Sequence, residues 1–510
     1  MALGRLNITP FHCIVFAIWQ LGLLFGGQQI FPIFFNYEPK WTCEGYVDDD
    51  LNKDGICSKS EKCELFALCT ENITFEQTPF HSIVEEFDLL CGPTAYYATI
   101  VSSFQFAGVL VGTVVYGHVG DHFGRKPVSI FGLTVGILFA CASGLSPSWL
   151  IYALLRFVVG SSVGCVLVVV YTYVVELILP EQRIFLRAFF NWGFGRVIFT
   201  FICYLLPNWR WASAATALVA LPAIPLIAFI PESPIWYESK KRYKEMREAQ
   251  RKIARIGGKR MTVQLPDKDA TIEKRQSIIS YPQKIYSMKD LATNRRLAGK
   301  TAVLSFLWFT ASLSSYASDL NSGNLGGDFY ENQFLMGALI GISKMLIFLL
   351  DTYVPRFSRR LLHQISQALV VLTFAAIMVI LIWFASPNDR NCAAQQSSTI
   401  NVLVVAINIL GVVLIEYTWD ACYLCGAEGF PTELRAIGVG TCSLMARVGA
   451  LLAPQMTYLA ELWPPAPFAA VSAVGLASLA LSLLFVEETK GQPLTSTTGT
   501  TAEESASSPN

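Results

Sequence analysis

The chain has 510 residues, of which 53% are hydrophobic and only 15% charged. Soluble domains carry about 25% charged residues, so the composition argues against a large soluble enzyme. Lys plus Arg and Asp plus Glu both total 38, which leaves no basic excess for nucleic acid, and 13% aromatic residues with long apolar runs exclude a disordered chain.

A bilayer core takes about 20 mostly apolar residues per helix. In chain order, such runs fall at 11–33, 94–116, 128–146, 148–174, 186–206 and 209–230. After a polar stretch they resume at 299–319, 331–351, 361–386, 399–424, 435–460 and 466–486. The expectation is an all-α membrane protein with twelve transmembrane helices in two six-helix bundles. Residues 1–10 form a cytosolic N-terminus, 11–230 the first bundle with an outside cap at 35–93, and 231–298 a central cytosolic loop. Residues 299–486 form the second bundle, and 487–510 a Ser/Thr-rich, disordered cytosolic tail. The first run is longer than a signal-peptide core, which spans roughly 7–15 residues.

Charge sets the orientation. The stretch 239–300 is dense in Lys and Arg, from Lys240, Lys241 and Arg242 to Arg295, Arg296 and Lys300. Positive loops stay in the cytosol, and twelve spans then leave both termini there. Residues 35–93 hold thirteen acidic side chains against four Lys, and read as an outside loop. Cys43, Cys57, Cys63, Cys69 and Cys91 lie in that loop, where disulfides persist, so a stapled cap is expected without a deducible pairing. Asn72-Ile73-Thr74 is a glycosylation acceptor in the same loop. Asp50, Asn52, Asp54 and Glu61, with Gly55 at the turn, have the spacing of a calcium loop. No amphipathic helix precedes Asp50, an acidic turn accounts for the same residues, and no metal site is assigned.

Between the second and third runs lies Gly117-His118-Val119-Gly120-Asp121-His122-Phe123-Gly124-Arg125-Lys126-Pro127. A short cytosolic turn accounts for the glycines, and Asp121 can cap a helix or pair with Arg125. The ordered Gly, Asp, Gly, Arg and Lys resemble the signature of the major facilitator superfamily, with His122 in place of the usual Arg. Further stretches resemble solute carrier family 22, the organic ion transporters. They are Ser82 to Cys91, Glu176 with Pro180 and Arg183, Pro231-Glu232-Ser233-Pro234-Ile235-Trp236, Glu428 with Phe430-Pro431-Thr432 and Arg435, and Glu488-Thr489-Lys490-Gly491. Ile235 departs from a usual Arg. The resemblance implies the major facilitator fold, with a substrate site at mid-membrane between bundles that rock. It also implies that Gly117, Asp121, Gly124, Arg125, Glu176, Arg183, Glu232, Glu428 and Arg435 serve as conformational hinges and salt bridges that hold one of two arrangements.

Ionisable residues inside spans are costly and face the bundle interior. Among such cations Arg196, Lys344 and Arg447 stand out, and Glu416 and Asp420, at i and i+4, share one face of the tenth run. In the resembling family the organic-anion branch carries a Lys and an Arg where Lys344 and Arg447 stand, and the aspartate of the cation branch is absent here. Arg196 stands where that family often has Gln. Three readings stay open. Unpaired cations would bind a carboxylate or sulfonate; the two acids would bind a cationic head, giving a zwitterion site; or the acids and cations pair with each other. Trp308 and Tyr316, with Tyr417, Trp419 and Tyr423, would hold the apolar body of an organic ion.

There is no phosphate-cradling Gly-Lys-Ser/Thr loop and no catalytic Ser-His-Asp set. Cys422-x-x-Cys425 lies in an apolar span and reads as packing. The chain is expected to be a transporter at the plasma membrane, not an enzyme, with no cofactor and no nucleic-acid partner. Its partners are the lipid bilayer and a small organic ion, most readily an organic anion, driven by the substrate gradient or by exchange with a counter-ion or internal anion. The alternatives are an organic cation or carnitine-like zwitterion carrier, or a transport-inactive receptor or scaffold.

Overall fold

The computed structural model describes residues 8–39, 41–43, 73–75, 78–91, 94–258, 291, 295–324, 326–353, 358–384, 398–431 and 434–488. The first half contains α1 (Pro10–Phe35), α2 (Ala95–Phe123), α3 (Arg125–Ser143), α4 (Trp149–Leu177), α5 (Phe185–Leu205) and α6 (Trp209–Phe229). A further helix, α7 (Tyr243–Gly257), lies in the stretch expected to be a loop. The second half contains α8 (Arg295–Asn321), α9 (Phe329–Tyr353), α10 (Arg359–Phe384), α11 (Ser398–Gly429), α12 (Arg435–Leu462) and α13 (Ala466–Phe485). Two three-residue strands, β1 (Trp41–Cys43) and β2 (Ile73–Phe75), pair antiparallel as a ribbon.

Ten of these helices are long and apolar enough to cross a membrane among the described residues. The expected seventh and eighth spans correspond to α8 and α9, which have 27 and 25 residues, and α8 is less apolar than the helices that follow it. The reason is visible in α8, which buries Ser305, Thr310, Ser312, Ser314, Ser318 and Asp319. Polar side chains in a span are tolerated where protein, not lipid, surrounds them.

The signature after the second run differs from the expected turn. Residues Gly117 to Phe123 are the last turns of α2, and the chain reverses at Gly124 alone. Gly124 has φ +113°, and a Cβ there would lie 2.5 Å from a Glu232 carboxylate oxygen. Only glycine meets both conditions.

The two halves meet along α5 with α9 and along α2 with α12. At the first seam a Cβ on Gly193 would come within 2.2 Å of the Gly341 nitrogen, so backbone touches backbone. At the second, Tyr96 hydroxyl donates to Gln455 Oε1 (3.1 Å) and Gln455 Nε2 donates to Ser103 Oγ (3.1 Å). More contacts bridge the halves near the ribbon. Phe329 packs edge-on against Phe34 at 5.4 Å, and Tyr330 hydroxyl donates to the Pro79 and Cys203 carbonyls. A cavity of about 50 Å³ remains there, lined by Asn36, Thr99 and Ser102 from one half and Leu320 and Thr457 from the other. That space suits a few waters, and the contacts around it hold the described parts of the two halves together at this end.

The described part of the cap is seated on the first half. Trp209 Nε1 donates to Glu86 Oε2 at 2.7 Å, and Arg210 forms an ion pair with the same carboxylate. Cys91 is disulfide-bonded. Cys57, Cys63, Cys69, Asn72 and the calcium-loop spacing at Asp50, Asn52, Asp54 and Glu61 lie outside the described residues, and of Cys43 only the strand position is described. Cys422 and Cys425 are buried free thiols, in keeping with a packing role.

Candidate substrate site

The cations expected in the spans occupy three different environments. Arg196, on α5, is fully buried. Its Nη1 donates to Asp319 Oδ1 at 2.5 Å and its Nη2 to Gln333 Oε1 at 2.7 Å. Of the three open readings, pairing with an acid describes Arg196, although the acid is Asp319 and not Glu416 or Asp420. A guanidinium removed from water is retained when a carboxylate and hydrogen bonds satisfy it. The pair joins α5 of the first half to α8 and α9 of the second.

Lys344 is also neutralised. Its ammonium lies 2.8 Å from Glu416 Oε2 and 2.9 Å from Asp420 Oδ2, and donates to the Glu416 carbonyl at 3.1 Å. The i, i+4 spacing of the two acids does place both on one face of α11. Asp420 Oδ1 receives a second cation, Arg187 Nη2, at 3.4 Å. The Arg187 guanidinium also lies over the Tyr423 ring, 4.8 Å from its centroid. Two carboxylates and two cations thus form one network, and Arg187 reaches it from the opposite half. Of the three open readings, mutual pairing describes Lys344, Glu416 and Asp420.

Arg447, on α12, differs. It makes no ion pair among the described residues, and its buried Nε has no hydrogen-bond partner. It lies within electrostatic reach of Tyr316 and Tyr423. Tyr423 is within the same reach of Arg187 and Lys344, and Tyr316 of Glu416 and Asp319. The two tyrosines are thus within reach of both Arg447 and members of the charge network. Tyr316 hydroxyl donates to Gln29 Oε1 at 2.6 Å, and its ring meets Phe106 edge-on at 5.0 Å, so it links α8 to α1 and α2. Trp308 lies behind this wall. It is 1% exposed, its ring packs on Tyr423 at 4.4 Å, and its N–H is used by the Cys422 carbonyl (3.2 Å).

One buried cation has no counterpart in the sequence reading. Arg156, on α4, is fully buried and has no carboxylate partner among the described residues. Gln105 and Gln28 side-chain oxygens accept from it at 2.8 Å each, and the Phe31, Phe35 and Tyr152 rings lie 5.0 to 5.9 Å from its carbon. Amide dipoles and ring faces supply the negative potential that an acid would otherwise supply.

The residues expected as a switch form two similar clusters at the end opposite the ribbon. In the first half Arg125 pairs with Asp121 (2.5 Å) and Glu176 (3.6 Å), and Glu232 accepts the backbone N–H of Lys126 and of Ser233 at 2.9 Å each. Burial pushes the Glu232 carboxyl up from its ordinary range, while those N–H groups hold it down more weakly. Trp236 Nε1 donates to the Asp121 carbonyl at 3.0 Å. In the second half Arg359 lies 3.6 Å from Glu428, and Glu488 accepts the backbone N–H of Arg359 at 3.1 Å and of Arg360 at 3.3 Å. Arg359 thus occupies the place in the second half that Arg125 holds in the first. Gly117 lies within α2. Arg183 and Arg435 make no ion pair among the described residues, and each has buried guanidinium nitrogens without hydrogen-bond partners.

Comparisons with known proteins agree with this architecture. Residues 53–498 match the family profile described as sugar (and other) transporter. The chain is 46% identical over 492 residues to the uncharacterized protein F23F12.3 of Caenorhabditis elegans, covering 96% of this chain and 94% of that one. It is 29% identical to an organic cation transporter protein of Drosophila melanogaster (89% of this chain, 79% of that one). It is 28% identical to solute carrier family 22 member 15 of Xenopus tropicalis (89% and 81%). In fold it is similar to the xylose transporter XylE from E. coli in a partially occluded inward-open conformation, with a TM-score of 0.62, 15% identity, and coverage of 95% and 100%. The chain belongs to the sugar (and other) transporter family of the major facilitator superfamily, among relatives that include solute carrier family 22 proteins.

Proposed function

We propose that the protein crosses the plasma membrane twelve times, with α8 and α9 as the seventh and eighth spans and both termini in the cytosol. In this reading it carries a small organic anion with a carboxylate or sulfonate head, by alternating access. The observation that carries the proposal is Arg447, a cation without an ion pair among the described residues, on α12 where that helix packs closely against α8, the helix of Tyr316. Arg187 and Lys344 balance Glu416 and Asp420 one for one, so Arg447 leaves the cluster with one net positive charge. A guanidinium offers a carboxylate two parallel donors, and low dielectric strengthens the contact. The tyrosine rings would take the apolar body of the substrate.

The contacts that join the halves at the ribbon end support reading this state as inward-facing. Carrying the substrate in from outside requires the seams at Tyr96–Gln455 and Phe34–Phe329 to part, while the opposite clusters tighten. Each ion pair present in one state alone biases that equilibrium by its differential contribution. A second reading has one supporting observation, the relatives named organic cation transporters. A cationic head would then displace Lys344 from Glu416 and Asp420. Saturable uptake of a radiolabelled aromatic carboxylate, lost in Arg447→Asp, tests the first reading. Uptake of a cation lost in Glu416→Gln and Asp420→Asn would favour the second. A properly localised protein that moves neither class would revive a receptor role.

A further inference from the structure

Helix α7 takes no part in the substrate site or in the ion pairs described above. Ala249, Ile253 and Gly257, at i, i+4 and i+8, are buried, and Ile253 joins the apolar cluster of Phe11 and Val15 on α1. The helix is therefore clamped to the bundle by one stripe. Residues 240–255 carry eight basic and two acidic side chains. Lys240, Lys241, Arg242, Lys244, Arg251, Lys252 and Arg255 are exposed. Among the described residues Arg242 pairs with Glu245, and the other six make no ion pair. Lys244, Arg251 and Arg255 fall on one helical face, at spacings of seven and four.

Lys244, Arg251 and Arg255 lie opposite the buried stripe, and the bundle fixes their neighbour Lys252 at a definite height. The Lys252 ammonium lies 5.8 Å from the ring of Phe229, the last residue of α6. Phe229 is itself exposed on the bundle exterior, where α6 leaves the membrane. Cations on a helix clamped beside the end of α6 would lie level with the headgroups of the adjacent leaflet. Long basic side chains there lay their stems on apolar surface and extend their charges to phosphates.

We propose that α7 binds anionic phospholipid headgroups of the cytosolic leaflet through Lys244, Arg251, Lys252 and Arg255. The leaflet rests on the orientation given above; the lipid chemistry does not. Clustered Lys and Arg at a membrane surface each strengthen binding to anionic lipid by about fivefold, so losing three weakens it by about 100-fold.

The test uses the purified full-length protein in neutral detergent, titrated with fluorescent phosphatidylinositol 4,5-bisphosphate, phosphatidylserine or phosphatidylcholine. The two anionic lipids bind, phosphatidylcholine does not, and binding weakens as salt rises. Lys244→Gln, Arg251→Gln and Lys252→Gln together lower anionic-lipid affinity about 100-fold at unchanged melting temperature. Equal binding of phosphatidylcholine, or full affinity in the triple variant, overturns the proposal. So does displacement of the lipid by soluble inositol trisphosphate at equal concentration, which would make this a site for a soluble phosphate. If the triple variant fails to fold, the single Lys252→Gln and the salt titration decide. Antibody access to an epitope inserted after Gly258 in intact cells reads the orientation separately. An epitope reached from outside contradicts the cytosolic leaflet without touching the detergent result.

Discussion

The sharpest consequence of the structure concerns Asp319. Its carboxylate neutralises a fully buried guanidinium across the two halves, with Gln333 as a further acceptor. Asp319→Asn removes the charge and keeps the shape. Breaking one partner of a buried pair costs about 3–5 kcal/mol, because the surviving charge stays buried. Gln333 remains, so about 2–3 kcal/mol is a fair expectation, borne by the state closed at the ribbon end. Each 1.4 kcal/mol is about tenfold in the ratio of two states, so opening at that end rises by roughly 30–100-fold. Ser103, which bonds Gln455 across the second seam, offers the reporter. In a Ser103→Cys background, labelling by a membrane-impermeant maleimide from outside accelerates by that factor in Asp319→Asn. Adding Arg196→Gln restores slow labelling, since two neutral amides can bond each other. Unchanged labelling in Asp319→Asn, or a double variant that labels faster still, would refute the latch.

Other outcomes follow from the same geometry. Lys344→Met leaves Glu416 and Asp420 with Arg187 as their sole cation, so thermal stability falls by about 3–5 kcal/mol, and adding Glu416→Gln recovers much of it in a thermal melt. Gly124→Ala combines φ +113° with a Cβ 2.5 Å from the Glu232 carboxylate, and is expected to lower both melting temperature and transport, whereas Gly440→Ala, which meets open space, changes neither. Burial raises the Glu232 carboxyl above its unfolded value, so its contribution is fully present below the unfolded pKa and is lost as pH rises through the folded one. Acidification through that window therefore raises the melting temperature through this group, and Glu232→Gln flattens that slope.

Much of the architecture was legible because it depends on local composition. Apolar runs long enough to span a bilayer announce themselves without a partner, and the Gly-Asp-Gly-Arg-Lys motif marks where α2 turns into α3. Both acids of α11 were placed on one face by spacing alone. Pairing was not legible in the same way, because it depends on side chains that meet across distant helices. Lys344 and Asp420 lie 76 positions apart, Arg196 and Asp319 lie 123 apart. Asp319 closes the expected seventh span and reads there as a boundary residue. Arg187 reads as a flaw in the fifth run, although its reach to Asp420 explains it. Arg156 lies inside the fourth run, where a cation is itself a signal, but its amide and ring partners carry no charge that would point to them. Arg359 escaped notice because the second half keeps the geometry of the first without its Gly-Asp-Gly spelling. Helix α7 was hidden by its charge density, which suggests a loop until Ala249, Ile253 and Gly257 are seen at helical spacing.

The central claim is that Arg447 supplies the charge that recognises substrate. Uptake of one radiolabelled aromatic carboxylate and one organic cation, in cells expressing wild type or Arg447→Asp, tests it directly. Saturable carboxylate uptake in wild type, abolished in Arg447→Asp at equal surface expression, is the result predicted here. Cation uptake that is indifferent to Arg447→Asp would contradict it and move recognition to Glu416 and Asp420.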